Sequence, residues 1–340
     1  MPPVARLFIA IVLTVAFLLP AQSGAEQAPF YRGKQITLLI ASGAGGGYDA
    51  YARALARHMG RHIPGNPNIV PKNVPGAGGL IAANTLYNST SPDGLTFAAL
   101  TNGAAMDPLF GETAARFDGQ QFNWLGSMGK LENICVTWQT SPITKIEQAK
   151  AREITVSATG ATGNSAIMPK IVNEFLGTKF KVIGGYSEGA GQTLALERGE
   201  VDGICGLSYS TLRAGRPDWF RDHKLNIFLQ IGLKKIRDLP DVPNAFDLVS
   251  DPQQKRILEL ILIRQEMGRP FALPPRVAAD RVTTLRQAFE ETLKDPQFLA
   301  EARKLQLEID PLTGAEIAGL LKTAYSAPKE TVERAARLAK

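Results

Sequence analysis

Ile36-Thr-Leu-Leu-Ile40 runs without interruption into Ala41-Ser-Gly-Ala-Gly-Gly-Gly-Tyr-Asp49. A short apolar run stopped by glycines reads as a buried strand ending in a turn. Beyond the turn, Tyr48, Tyr51, Ala52, Leu55, Met59 and Ile63 recur at helical spacing, while Arg53, Arg57 and Arg61 gather on another side. That is a helix with one buried stripe. A strand-like Asn68-Ile-Val-Pro-Lys-Asn-Val74 follows, then a Pro-Gly turn, a helix over 79–88 and a strand over 95–100. Strand and helix in alternation imply right-handed crossovers and a mostly parallel sheet.

The same rhythm restarts after Trp124. Strands are predicted over 134–138, 154–157, 180–183, 201–205 and 226–231, with helices near 145–151, 165–176 and 192–198. A second sheet therefore occupies the middle of the chain. From Pro275 the sequence reads as several short helices, punctuated by Pro274-Pro275, Asp295-Pro296, Pro311 and Pro328.

Composition sets the compartment and excludes some partners. Arg6 precedes an apolar run over 7–19, and Ser23 and Ala25 stand at the −3 and −1 positions of a cleavage before Glu26. This is the layout of a secretory signal peptide over 1–25, cut near Ala25, and it predicts a periplasmic protein. The run is shorter than the roughly 20 residues a spanning helix needs. The formal charge of +6 falls to +5 without Arg6. Basic and acidic residues alternate with no basic stripe among aromatics, which argues against a nucleic-acid partner. Cys135 and Cys205 lie in predicted strands. In an oxidising compartment they form either one disulfide or two buried thiols.

Four glycine turns sit where strands hand over to helices: 41–49, 75–79, 159–165 and 184–191. Glycines let backbone N–H groups approach a ligand, and a helix N-terminus favours an anion. The first turn is no phosphate loop, because no Gly-Lys-Ser/Thr closes it. Tyr48 also stands where a dinucleotide fingerprint needs glycine. Open α/β sheets bind ligands at the carboxyl ends of their strands, so opposed turns make an anion clamp of mainly neutral donors. Tyr48 and Tyr186 are candidates for its wall. Trp124, Trp138 and Trp219 read as packing residues. His58 and His62 are spaced for a metal, but no third ligand accompanies them and no metal site is assigned. Gly185-Tyr-Ser-Glu-Gly189 fits a hydrolase elbow with Ser187 as nucleophile, for which His223 is the one downstream histidine.

In order and spacing, several short motifs match a family across almost the whole mature chain. They are Gly45-Gly-Gly-x-Asp49, Asn73-x-Pro-Gly-Ala-Gly-Gly79, Ser91-Pro-Asp-Gly94, Gly199-Glu-Val-Asp-Gly203, Asp241-Val-Pro243 and Asp295-Pro296. The chain resembles the periplasmic substrate-binding proteins of tripartite tricarboxylate transporters, the Bordetella uptake family. Tyr48 replaces a common threonine, and Glu188 stands where a lysine is frequent.

The resemblance implies a type II periplasmic binding fold, with two α/β lobes closing over a ligand cleft. One lobe would comprise 26–127 with 262–340 and the other 128–261, joined by two crossing segments. It also implies a small organic carboxylate held by amides, hydroxyls and water, with few charged side chains. Carried over by position, the binding residues are Ser42, Gly43, Gly46, Gly47, Tyr48, Asp49, Asn102 and Gly103 in the first lobe. In the second they are Ser157, Thr159, Gly160, Gly163, Asn164, Ser165, Tyr186 and Asp202. The implied function is capture by a monomer without catalysis or cofactor, and delivery to membrane permease subunits. A serine hydrolase using Ser187 and a ligand receptor for a sensor kinase are the alternatives.

Overall fold

The Ile36 run is β1 (Gln35–Ile40), and the glycine turn feeds α1 (Gly47–Met59). The structure, a computed structural model, describes residues 29–339 apart from 161, 162 and 188. The predicted signal peptide and Glu188 therefore lie outside the described residues. After α1 come β2 (Asn68–Asn73), the short helix α2 (Leu80–Asn84) and β3 (Thr96–Ala99). β1 pairs in parallel with both β2 and β3.

The chain leaves this sheet through β4 (Asn123–Ser127) and enters a second one at β5 (Asn133–Trp138). There it builds α3 (Ile146–Ala151), β6 (Ile154–Ser157), α4 (Asn164–Leu176), β7 (Phe180–Ile183), α5 (Ala190–Glu197) and β8 (Gly203–Ser208). Two short helices, α6 (Tyr209–Gly215) and α7 (Pro217–Arg221), lead to β9 (Leu225–Ile231) and α8 (Ala245–Leu248). α9 (Pro252–Glu266) carries the chain back, and β10 (Pro270–Leu273) inserts between β3 and β4. The tail is α10 (Ala279–Thr292), α11 (Pro296–Lys304), β11 (Leu312–Thr313), α12 (Gly314–Tyr325) and α13 (Lys329–Leu338).

The protein is thus a two-lobed α/β structure with strand orders β11-β4-β10-β3-β1-β2 and β7-β6-β8-β5-β9. The expectation of mostly parallel sheets is corrected: both sheets are mixed. β10 runs against β3 and β4, and β5 runs against β8 and β9. The reason is the route between lobes. A chain that leaves one sheet on β4 and returns on β10 lays the returning strand antiparallel to its neighbours.

Local chemistry explains several boundaries. α9 and α11 each begin on an Asp-Pro pair. Asp251 accepts the Gln254 N–H at 2.7 Å, and Asp295 accepts the Gln297 N–H at 2.7 Å. Proline follows at the first helical position, where no N–H is missed. Thr313 and Glu316 form a reciprocal capping box on α12. α9 buries Ile257, Leu258, Leu260, Ile261, Leu262 and Ile263 in a nearly continuous run, so its buried half shows no stripe in the sequence.

Trp124 and Trp219 are fully buried, and Trp138 meets Trp219 edge-on at 4.9 Å, so the tryptophans pack. Cys135 and Cys205 stand opposite each other on β5 and β8 and are joined by a disulfide.

Candidate functional site

A cavity of about 320 Å³ opens between the two sheets, with walls from both. Its floor on the first lobe is the turn after β1. Asp49 fixes that turn, accepting the Gly45 N–H at 2.9 Å, Arg53 Nε at 2.8 Å and Asn73 Nδ2 at 2.8 Å. Asn73 Nδ2 also donates to the Ser42 carbonyl at 2.9 Å. Burial pushes the Asp49 carboxyl up, but the bonds from Gly45, Asn73 and Arg53 outweigh it and hold the group below its usual range. Asp49 therefore shapes the site from behind and does not line it.

Of the residues expected at the site, Ser42, Gly43, Tyr48, Asn102, Gly103, Thr159, Gly163, Asn164 and Ser165 line the cavity together. Tyr48 ties two of the strand ends: its hydroxyl accepts the Asn102 N–H at 3.0 Å and donates to Asn102 Oδ1 at 3.3 Å. On the second lobe, Ser165 Oγ accepts the Thr159 N–H at 3.2 Å at the start of α4. Asn102 Nδ2 and Asn164 Oδ1 are buried and bond to no protein group.

The remaining expected residues lie outside the lining. Gly46 and Gly47 are two of them; a Cβ on Gly47 would stand 3.1 Å from Arg269 Nη2, so its lack of a side chain admits that guanidinium. Ser157 is buried under the third turn, its carbonyl accepting Gln192 Nε2 at 3.0 Å. Gly160 is not among the lining residues. Asp202 accepts the Thr155 N–H at 2.8 Å and Thr155 Oγ1 at 2.6 Å, which pins the β8 approach to the start of β6. Tyr186 packs on the core of the second lobe, because the fourth glycine turn follows the edge strand β7. Ser187 is exposed, and no hydrogen bond joins it to His223 among the described residues. His58 and His62 face carboxylates instead, Glu301 at 2.5 Å and Asp295 at 2.9 Å.

The cavity also holds residues that sequence reading passed over. The second glycine turn contributes Gly76, Gly78 and Gly79, all at positive φ. More consequential are Arg264 and Arg269, 6% and 3% exposed, which bring two guanidinium groups into a site expected to use neutral donors. Arg269 Nη2 donates to Thr211 Oγ1 on the second lobe at 2.9 Å. Its guanidinium lies 4.7 Å from the ring centres of both Tyr48 and Tyr51 on the first. Arg264 faces Asp107 across Gly103, where a Cβ would fall 2.4 Å from Arg264 Nη2 and 3.0 Å from Asp107 Oδ1. Nε of each arginine is buried and donates to no protein acceptor. A legible signal existed: each arginine adjoins an apolar run, in Ile261-Leu-Ile-Arg264 and Arg269-Pro-Phe-Ala-Leu273.

No family model matches the chain. It is 24% identical over 254 residues to the UPF0065 protein in the TAR-I ttuE-ttuC' intergenic region of Agrobacterium vitis, covering 70% of this chain and 67% of that one. Among solved structures it superposes on a TctC solute-binding protein from Polaromonas with a TM-score of 0.66 at 20% identity, covering 89% of this chain and 99% of that one. An R. palustris protein solved with adipate gives 0.68 at 17% identity, covering 90% and 98%. MatC of Rhodopseudomonas palustris with bound malate gives 0.66 at 17% identity, covering 91% and 99%. The chain therefore has the fold of the TctC and Bordetella-uptake type of periplasmic binding protein, as its motifs led one to expect.

Proposed function

We propose that this chain is a non-catalytic receptor for a small organic carboxylate, bound between its lobes. One observation carries the reading: the buried Arg269 guanidinium, which forms no ion pair among the described residues, lines a cavity of about 320 Å³ whose walls come from both sheets. A buried cation is destabilising unless matched, and a carboxylate matches an arginine in charge and geometry. The volume suits a molecule of a few carbons. The adipate and malate held by proteins of the same fold support an acid as cargo.

On this reading residues 26–127 with 262–340 form one lobe and 128–261 the other, with α9 crossing the division. The protein acts in the periplasm as a monomer and hands its cargo to the permease subunits of a tripartite transporter. The ligand holds the closed form because that form alone satisfies it from both sides. A thermal-shift titration with carboxylates of two to eight carbons tests the proposal, since a ligand of the native state raises Tm with its concentration. A dose-dependent rise is expected. A melt that no carboxylate moves would sink the receptor reading.

A further inference from the structure

The two arginines meet different company. Arg269 sits against Gly47 and the Tyr48 and Tyr51 rings, and its described polar partner is a neutral hydroxyl, Thr211 Oγ1. It also lies at the N-terminal end of α1, whose cap residue Gly46 supplies no side-chain bond. A cation beside the positive end of a helix dipole is doubly in need of an anion. The Tyr48 side chain links this arginine to the strand end beside the other. Its ring lies by Arg269, its hydroxyl meets Asn102, and the next residue, Gly103, abuts Arg264.

At that second pole acids offset the charge. Asp107 faces Arg264, and Glu112 lines the same end. With both acids ionised the pole carries one net negative charge; with Asp107 protonated it is neutral. Burial pushes the Asp107 carboxyl up despite Arg264, with Glu112 adding to the rise. Neither state leaves a net positive charge for a second carboxylate. The two carboxyl groups instead offer acceptors to a ligand N–H or O–H.

We infer that the cavity selects a monocarboxylate whose other end is uncharged or cationic and donates hydrogen bonds. Its carboxylate lies on Arg269 and its other end beside Arg264, Asp107 and Glu112. This inference rests on the receptor reading above and narrows it away from the dicarboxylates that proteins of this fold hold. Acid pairs of equal chain length test it: adipate, its monoamide and 6-aminohexanoate, with the three- and four-carbon counterparts, each titrated by thermal shift and calorimetry. A monoamide or amino acid should bind at least tenfold more tightly than the dicarboxylate of its length. The double variant Asp107→Asn/Glu112→Gln should then gain dicarboxylate affinity by about tenfold, a gain that misfolding cannot produce. Equal or tighter binding of adipate by the wild type overturns the inference and leaves the receptor reading intact, as does a double variant whose preference is unmoved. If no carboxylate of any charge type binds, the receptor reading itself falls, and this inference with it.

Discussion

Asp49 is the residue on which the first turn depends. Its carboxylate gathers a backbone N–H, a guanidinium and an amide, each within 2.9 Å. Asp49→Asn keeps the shape but removes the charge that strengthens those bonds, so a loss of about 1–3 kcal/mol is expected by denaturant unfolding at neutral pH. The sign with pH follows from its lowered folded pKa. The stabilisation is present above the unfolded carboxyl value and fades as pH falls through the folded one. The variant and the wild type should therefore converge in strong acid; a difference that persists there would assign the loss to shape alone. The sequence places Asp49 among the ligand residues, whereas its carboxylate is taken up by the turn itself. The three bonds it accepts come from residues 45, 53 and 73, and only the first two are sequence neighbours.

At the scale of elements, the strand–helix alternation was legible because each unit is local: an apolar run, a glycine turn, then a stripe of helical period. The missed elements are those whose signal is not local. β10 has four residues, all buried, and β11 has two. The buried residues of α9 form a nearly continuous run and so have no period to detect. The placement of Arg264 and Arg269 is likewise not local: the return of the chain to the first sheet brings Arg269 to Gly47 and Arg264 to Gly103. β8 offers a test of how tightly elements meet at the cavity. Gly206 has φ +87°, and a Cβ there would lie 2.4 Å from the Asn164 carbonyl at the start of α4. Backbone cannot yield as a side chain can, so Gly206→Ala should lower stability by roughly 1–3 kcal/mol and weaken ligand binding. Calorimetric melting checks the first effect, and unchanged Tm would show that β8 and α4 have slack.

The whole molecule turns on the junction where the chain passes between lobes. Lys130 pairs with Asp310 at 3.0 Å and with Glu266 at 3.6 Å, while Glu132 and Glu308 stand nearby. Burial, then Glu308, push the Glu132 carboxyl up to about 7. A raised acid stabilises the fold fully below its unfolded pKa, and that contribution is lost as pH rises through the folded value. Glu132→Gln should therefore raise Tm at pH 8 relative to the wild type and matter less at pH 5. Equal differences at both pH values would remove Glu132 from the junction's charge balance.

The same junction sets Arg269 between the lobes. It makes contact with α1 on one side and α6 on the other. Removing one member of a buried charge pair typically costs about 3–5 kcal/mol, or roughly a hundredfold to a few thousandfold in affinity. The most direct measurement is a calorimetric titration of wild type and Arg269→Gln with whichever carboxylate gives the largest thermal shift. Binding of one ligand per chain, weakened at least a hundredfold in the variant, is the predicted result; equal affinity in the two proteins would contradict a carboxylate seated on Arg269 between the lobes.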